Sequence, residues 1–135
     1  KAEDPEFRQI AIALFFAGDG EWSPMQSVSL APRPSTSAAA SKVSKAETVL
    51  DKNSLIWGIR LDLPADGVSA EVTARRPDGP VEVLLWVPRS RTEWPAPFYF
   101  QDPVALPAGT VISVTTAGTA APSGARAVLT LHRAN

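Results

Sequence analysis

Few side chains in this chain could carry chemistry. His132 is the single histidine, Met25 the single methionine, and cysteine is absent, so no thiolate nucleophile and no Cys/His metal set can be assembled. His132 falls on the solvent-facing parity of the last strand-like run. A lone imidazole without Cys, Met or a second His nearby holds no metal, and it reads as an exposed strand-end residue. Met25 reads as a gap filler or a strand-start residue rather than a thioether ligand. The carboxylates Asp62, Asp66, Asp78, Glu82 and Glu93 lie in turn sequences or on wet strand faces, where solvation is their ordinary role. Acid–base work would require burial or close approach. Ser90 and Ser113 have no nucleophile-elbow motif and no histidine partner. These residues predict no catalytic group, no metal ligand and no cofactor.

Aromatic side chains offer contact rather than catalysis. Trp57 sits on the apolar parity of its strand and reads as core. Trp86 lies on the parity opposite Val83, Leu85 and Val87, and Trp94 sits in a Pro-rich connection with Phe98, Tyr99 and Phe100 just beyond. Trp86, Trp94 and Tyr99 are therefore the candidate ligand or partner surface, able to stack on sugar rings or to join a protein interface. The competing expectation is that both sheet faces are covered and these rings fill a second layer or cap the sandwich end. Arg60 with Asp62 reads as a surface ion pair, worth little.

The elements that would position these residues are strands. The chain has 13 prolines and 8 glycines, recurring between short apolar segments in a way no long helix tolerates. Period-two runs are predicted over 7–17, 25–30, 43–50, 54–63, 68–74, 81–87, 98–101, 110–116 and 125–132, nine strands in all. The cleanest alternation sets Leu55, Trp57, Ile59, Leu61 and Leu63 against Arg60 and Asp62, so the first five are expected to face the core. Pro77-Asp78-Gly79 predicts a hairpin into Val81, Val83, Leu85 and Val87 on the inner face. Residues 32–41 lack a period and read as an exposed loop, with a short helical turn expected at most within 38–45. The fold class is all-β, an antiparallel jelly-roll-like sandwich of eight to nine strands.

At 135 residues the chain is one domain in size, large enough to fold without staples. Residues 1–6 read as a cloning remnant, leaving 7–135 as a single β-sandwich domain. The 13 Lys and Arg against 14 Asp and Glu give no basic footprint for nucleic acid and no polybasic membrane patch. The longest apolar run, Ile10 to Ala17, is far short of the roughly 20 residues a membrane span needs.

Order and spacing within 54–116 carry one further signal. Glu71-Val72-Thr73-Ala74, Pro77-Asp78-Gly79, Val81-Glu82, Leu84-Leu85, Val87-Pro88, Trp94, Tyr99, Pro103, Leu106-Pro107 and Gly109-Thr110 resemble the C-terminal β-sandwich domain of copper type II, ascorbate-dependent monooxygenases in its bacterial form. The resemblance implies a jelly roll of eight or nine strands. It also implies a His-x-His copper pair on the strand before Glu71, within His-Pro-His-Met-His, and a methionine near the C-terminal end. Two histidines at i and i+2 share one strand face and can reach one metal. Counting back from Glu71, the pair falls on Arg60 and Asp62 and the third histidine on Pro64. Arg60 and Pro64 cannot coordinate, and Asp62 is a hard oxygen donor poorly suited to this copper. The family's aromatic-Asp-Asn-Ser sequence is replaced by Thr115 to Gly118, and no methionine follows Met25.

The expected function is a noncatalytic module related to that domain, with a structural or protein-interaction role in a larger exported bacterial protein, periplasmic or extracellular. Its partner would be another protein or a neighbouring domain. Two alternatives stay open: a copper-dependent monooxygenase-family domain with relocated or missing ligands, and a carbohydrate-binding module using exposed aromatics on a glycan. Whether the chain takes part in an enzyme is left open, with no catalysis expected from this fragment alone.

Overall fold

Turn chemistry and alternation together build a two-layer sandwich. The computed structural model describes residues 24–34, 42–93, 97–118 and 124–133. Nine strands and no helix lie among them: β1 (Gln26–Leu30), β2 (Arg33–Pro34), β3 (Val43–Val49), β4 (Ser54–Asp62), β5 (Ser69–Arg75), β6 (Val81–Val87), β7 (Phe98–Leu106), β8 (Val111–Ala117) and β9 (Arg126–Arg133). Eight of these answer to predicted runs. The ninth, β2, is a two-residue edge within the stretch expected to be loop, and the predicted strand over 7–17 lies outside the described residues. The described part of the expected helical turn, residues 42–45, runs into β3 as strand.

One sheet has the order β1-β9-β4-β7 and the other β2-β3-β8-β5-β6, with every pairing antiparallel. Outside the β2–β3 and β5–β6 hairpins, each successive strand crosses to the opposite sheet, which is the connectivity of a jelly roll. The hairpin turn is the predicted one, closed by the Gly79 amide donating to the Arg76 carbonyl. At Pro107-Ala108-Gly109 the Thr110 amide returns to the Pro107 carbonyl and Gly109 takes φ 82°. That third turn position needs positive φ, which glycine supplies without steric cost.

The core lies between the sheets. Ile56, Ile59, Leu106, Leu129 and Leu131 face Val72, Ala74, Ile112 and Val114, all at 2% exposure or less. Burial of each large aliphatic chain stabilises by about 1.5–3 kcal/mol. Strands β1, β5, β8 and β9 keep the alternation read from sequence: Val28 and Leu30, Ala70, Val72 and Ala74, Ile112 and Val114, and Ala127, Leu129 and Leu131 point inward.

Strands β4 and β6 do not, and two sequence expectations are corrected there. On β4, Ile56 pairs with Leu131 and Gly58 with Thr130, so Trp57 is an extra residue in the strand. A bulge of this kind shifts the alternation by one. Ser54 and Ile56 are buried before it, and Ile59 and Leu61 after it. Trp57, expected in the core, is 39% exposed, and Leu55 faces outward beside His132. On β6, Val72 pairs with Leu85 and Thr73 with Val83, which makes Leu84 the extra residue. Leu85 and Val87 pack on the core as expected, whereas Val81 and Val83 turn to the outer face. β7 also runs beyond its predicted end: Gly58 pairs with Tyr99 but Ile56 with Val104, so residues 100–103 arch away from the ladder opposite Trp57. Pro103 is tolerated in that arch because β7 is a sheet edge among the described residues and needs no donor there.

Candidate functional site

The positions where the resemblance implies copper ligands lie on the outer face of β4. Gly58, Arg60 and Asp62 share this face after the bulge, while Ile59 and Leu61 hold the strand to the core. Arg60 and Asp62 close on each other: Nε lies 3.2 Å from Oδ1 and Nη2 donates to Oδ2 at 3.3 Å. This is the surface ion pair the sequence predicts. The two-pronged contact uses the planar geometry of both groups and commits Asp62 to a cation that coordinates nothing. Pro64 is exposed in the turn beyond. These residues do not fit copper. Among the described residues no group of three or more His, Cys, Asp or Glu is placed to hold a metal.

The remaining candidate groups take structural positions. Ser90 is buried. Its Oγ accepts from the Val68 amide at 3.0 Å and donates to the Ala65 carbonyl at 2.7 Å, while Ser90 and Val68 also exchange a backbone bond. Beside it the Asp66 carboxylate accepts from the Thr92 amide at 2.6 Å and the Thr92 hydroxyl at 2.7 Å. Those bonds hold its pKa below the ordinary carboxylate value. The two loops, 64–68 and 88–92, are thereby tied together. Glu82 pairs with Arg76, and Glu47 accepts from Ser113 and pairs with Lys45, with its pKa lowered chiefly by the Lys45 bond. Asp78 and Glu93 are exposed. Met25 is half exposed just before β1; it marks the strand start and fills no gap.

His132 is half-buried rather than exposed, on the outer face across from Leu55. With Leu55, Ala105, Pro107 and Arg76 it borders a shallow hollow of about 570 Å³ at one end of the sandwich. The lining is largely aliphatic, and Arg76 is already engaged by Glu82.

The structure separates the predicted aromatic surface. Trp86 is 66% exposed on the outer face of edge strand β6, in line with Val83 and Val81. Tyr99 is 72% exposed on the outer face of β7, in the other sheet. Trp94 lies outside the described residues. Both placed rings are open to solvent, and they look away from the sandwich in opposite directions. Neither the alignment of Val81 and Val83 with Trp86 nor the seat of Tyr99 on Gly58 can be read from period two, because both depend on the bulges.

On the Tyr99 side the geometry is well defined. One cross-strand row holds Ser27 of β1, Thr130 of β9, Gly58 of β4 and Tyr99 of β7. A Cβ at position 58 would lie 2.7 Å from Tyr99 Cδ1 and 2.8 Å from the Phe98 carbonyl oxygen. The ring therefore occupies space that any other residue would fill. A hollow of about 150 Å³ opens between Tyr99, Arg60, Val128 and the hydroxyl residues of this row. No family model, no curated protein and no solved structure matches the chain.

Proposed function

We propose that the chain is a noncatalytic β-sandwich module, related to the C-terminal domain of the copper type II, ascorbate-dependent monooxygenases, that serves by contact with a protein partner or neighbouring domain within a larger exported bacterial protein. The observation that carries the reading is the Arg60–Asp62 pair. The strand position that the resemblance gives to two histidines is occupied by a cation and an anion satisfied by each other. Around it the described strands form an all-β sandwich of two antiparallel sheets, the fold class that the resemblance implies.

The contact surface on this reading is the outer face of β6. Val81, Val83 and Trp86 expose a contiguous apolar stripe along a strand that pairs on one side only among the described residues. Apolar stripes on sheet edges are the usual sites of strand-to-strand association. The bulge at Leu84 keeps the edge from being a flat template for self-pairing, which favours a shaped partner over indiscriminate association.

Copper titration of the purified chain tests the noncatalytic reading, using Cu(I) with a competing chelator and Cu(II) by tryptophan quenching. The expected result is no stoichiometric site. A one-to-one site of sub-micromolar affinity, lost on Asp62→Ala, would overturn it.

A further inference from the structure

We propose that the outer face of the β1-β9-β4-β7 sheet binds a neutral pyranose unit in the hollow between Tyr99 and Arg60. This site is separate from the β6 stripe and does not depend on the protein-contact reading.

Three features of the hollow point to a sugar. The first is an exposed aromatic platform. Tyr99 is 72% exposed, yet its ring lies over Gly58 at a distance that leaves no room for a Cβ. The sheet thus presents a large apolar ring at its surface, and a tyrosine side chain, with only two torsions to restrict, loses little entropy when a ligand stacks on it.

The second is the polar complement. Sugars present adjacent hydroxyls that both donate and accept. Arg60 uses two N–H groups on Asp62, leaving three of the five guanidinium donors for a ligand. Ser27 and Thr130 add hydroxyls in the Tyr99 row and line the hollow. The Arg60–Asp62 pair is neutral as a unit and mixed in donors and acceptors. Arg60, the charged residue of the lining, is thus already paired, which suits a neutral ligand better than an anion.

The third is size. A volume of about 150 Å³ is below the roughly 300–1,000 Å³ of pockets for drug-sized ligands. A hollow of that size suits a single sugar ring rather than a drug-sized ligand. Val128 supplies an apolar wall opposite the ring. Gly58, with no side chain of its own, lets the Tyr99 ring settle against the strand at the edge of the hollow.

The experiment uses the whole chain. Methyl glycosides of glucose, mannose and galactose, the matching neutral oligosaccharides, and oligogalacturonate as the anionic comparison are titrated at up to about 10 mM while Tyr99 and backbone amide shifts are followed by NMR. The expected result is saturable shifts at Ser27, Gly58, Arg60 and Thr130 with at least one neutral pyranoside and none with oligogalacturonate. Tyr99→Ala should weaken binding about tenfold or more. Tyr99→Phe should retain most of it, and Trp86→Ala on the opposite sheet should leave it unchanged. Monosaccharide and oligosaccharide arms show whether a free sugar or a chain end is held. Amide dispersion confirms that each variant is folded. No saturable shift with any neutral sugar, or binding that a folded Tyr99→Ala variant keeps, would overturn the proposal.

Discussion

Gly58 is the position where the local geometry makes its firmest demand, and Gly58→Ala turns that demand into a measurement. The added methyl would stand 2.7 Å from Tyr99 Cδ1, 3.0 Å from Cε1 and 2.8 Å from the Phe98 carbonyl oxygen. Comfortable carbon contacts lie near 3.5–4.0 Å, so each neighbour must retreat by most of an ångström. The Tyr99 ring is exposed and can swing. The carbonyl cannot move alone, because Ile59 and Phe98 are paired there and β4 is held to β9 on its other side. Overpacking of this kind costs about 1–3 kcal/mol, offset by about 0.5–1 kcal/mol from removing glycine flexibility in a strand. With a backbone atom among the contacts the cost falls in the upper part of that range, about 2–3 kcal/mol, and the net loss of about 1–2.5 kcal/mol, at a urea slope near 1.5 kcal/mol/M, lowers the unfolding midpoint by about 0.7–1.7 M. Equilibrium urea unfolding followed by tryptophan fluorescence measures it. Adding Tyr99→Ala should recover only part of the loss, since the carbonyl contact survives. A Gly58→Ala midpoint equal to or above the parent's would refute the reasoning, and full recovery in the double variant would refute the assignment of the rigid contact to the Phe98 carbonyl.

Three further outcomes follow from specific bonds. Ser90→Ala strips the buried Val68 amide of its side-chain acceptor and should destabilise by about 1–3 kcal/mol in the same urea assay, with an unchanged midpoint counting against the clamp. Ser44 and Thr116 face each other across β3 and β8, and neither buried hydroxyl has a partner among the described residues. Thr116→Val should therefore leave stability equal or raise it by about 1 kcal/mol, and a loss above that would reveal a bond. Asp66 has a folded pKa below its unfolded value through the Thr92 bonds, so its contribution is complete above about pH 4 and disappears as pH falls through the lower folded value. The midpoint difference between parent and Asp66→Asn should shrink from pH 7 to pH 3; a constant difference argues against the linkage.

Where the sequence was transparent, the cause was local. Pro77-Asp78-Gly79 and Pro107-Ala108-Gly109 turn because their own dihedral preferences require it, and β5, β8 and β9 alternate without interruption, so the inward faces follow from period two. The failures have one cause, an extra residue flanked by apolar residues on both parities. In Ser54-Leu55-Ile56-Trp57-Gly58-Ile59 either parity offers aliphatic side chains for burial, so hydropathy cannot locate the shift. Only pairing with Leu131 and Thr130 places it at Trp57. The same holds for Val83-Leu84-Leu85. Strand β2 escaped notice because two residues carry no period, and the far half of β7 because Pro103 argues against a strand except at an edge. The Arg60–Asp62 pair was legible, since i and i+2 on one strand must share a face.

The bulges also decide how the two surfaces relate. Without the shift at Leu84, Val81 and Val83 would lie inside and Trp86 would be an isolated exposed ring; with it, the three form a stripe. Without the shift at Trp57, position 58 would not fall in the row of Tyr99 and Thr130, and the trough beside Arg60 would close. Each bulge thus creates one surface, and the surfaces face away from each other on different sheets. A ligand small enough for the Tyr99 trough cannot also reach Trp86. Single substitutions therefore separate the readings: Trp86→Ala should affect a protein contact alone, and Tyr99→Ala a sugar contact alone. An effect of both substitutions on one ligand would require the ligand to wrap the β6 and β7 edges, and would merge the two surfaces into one.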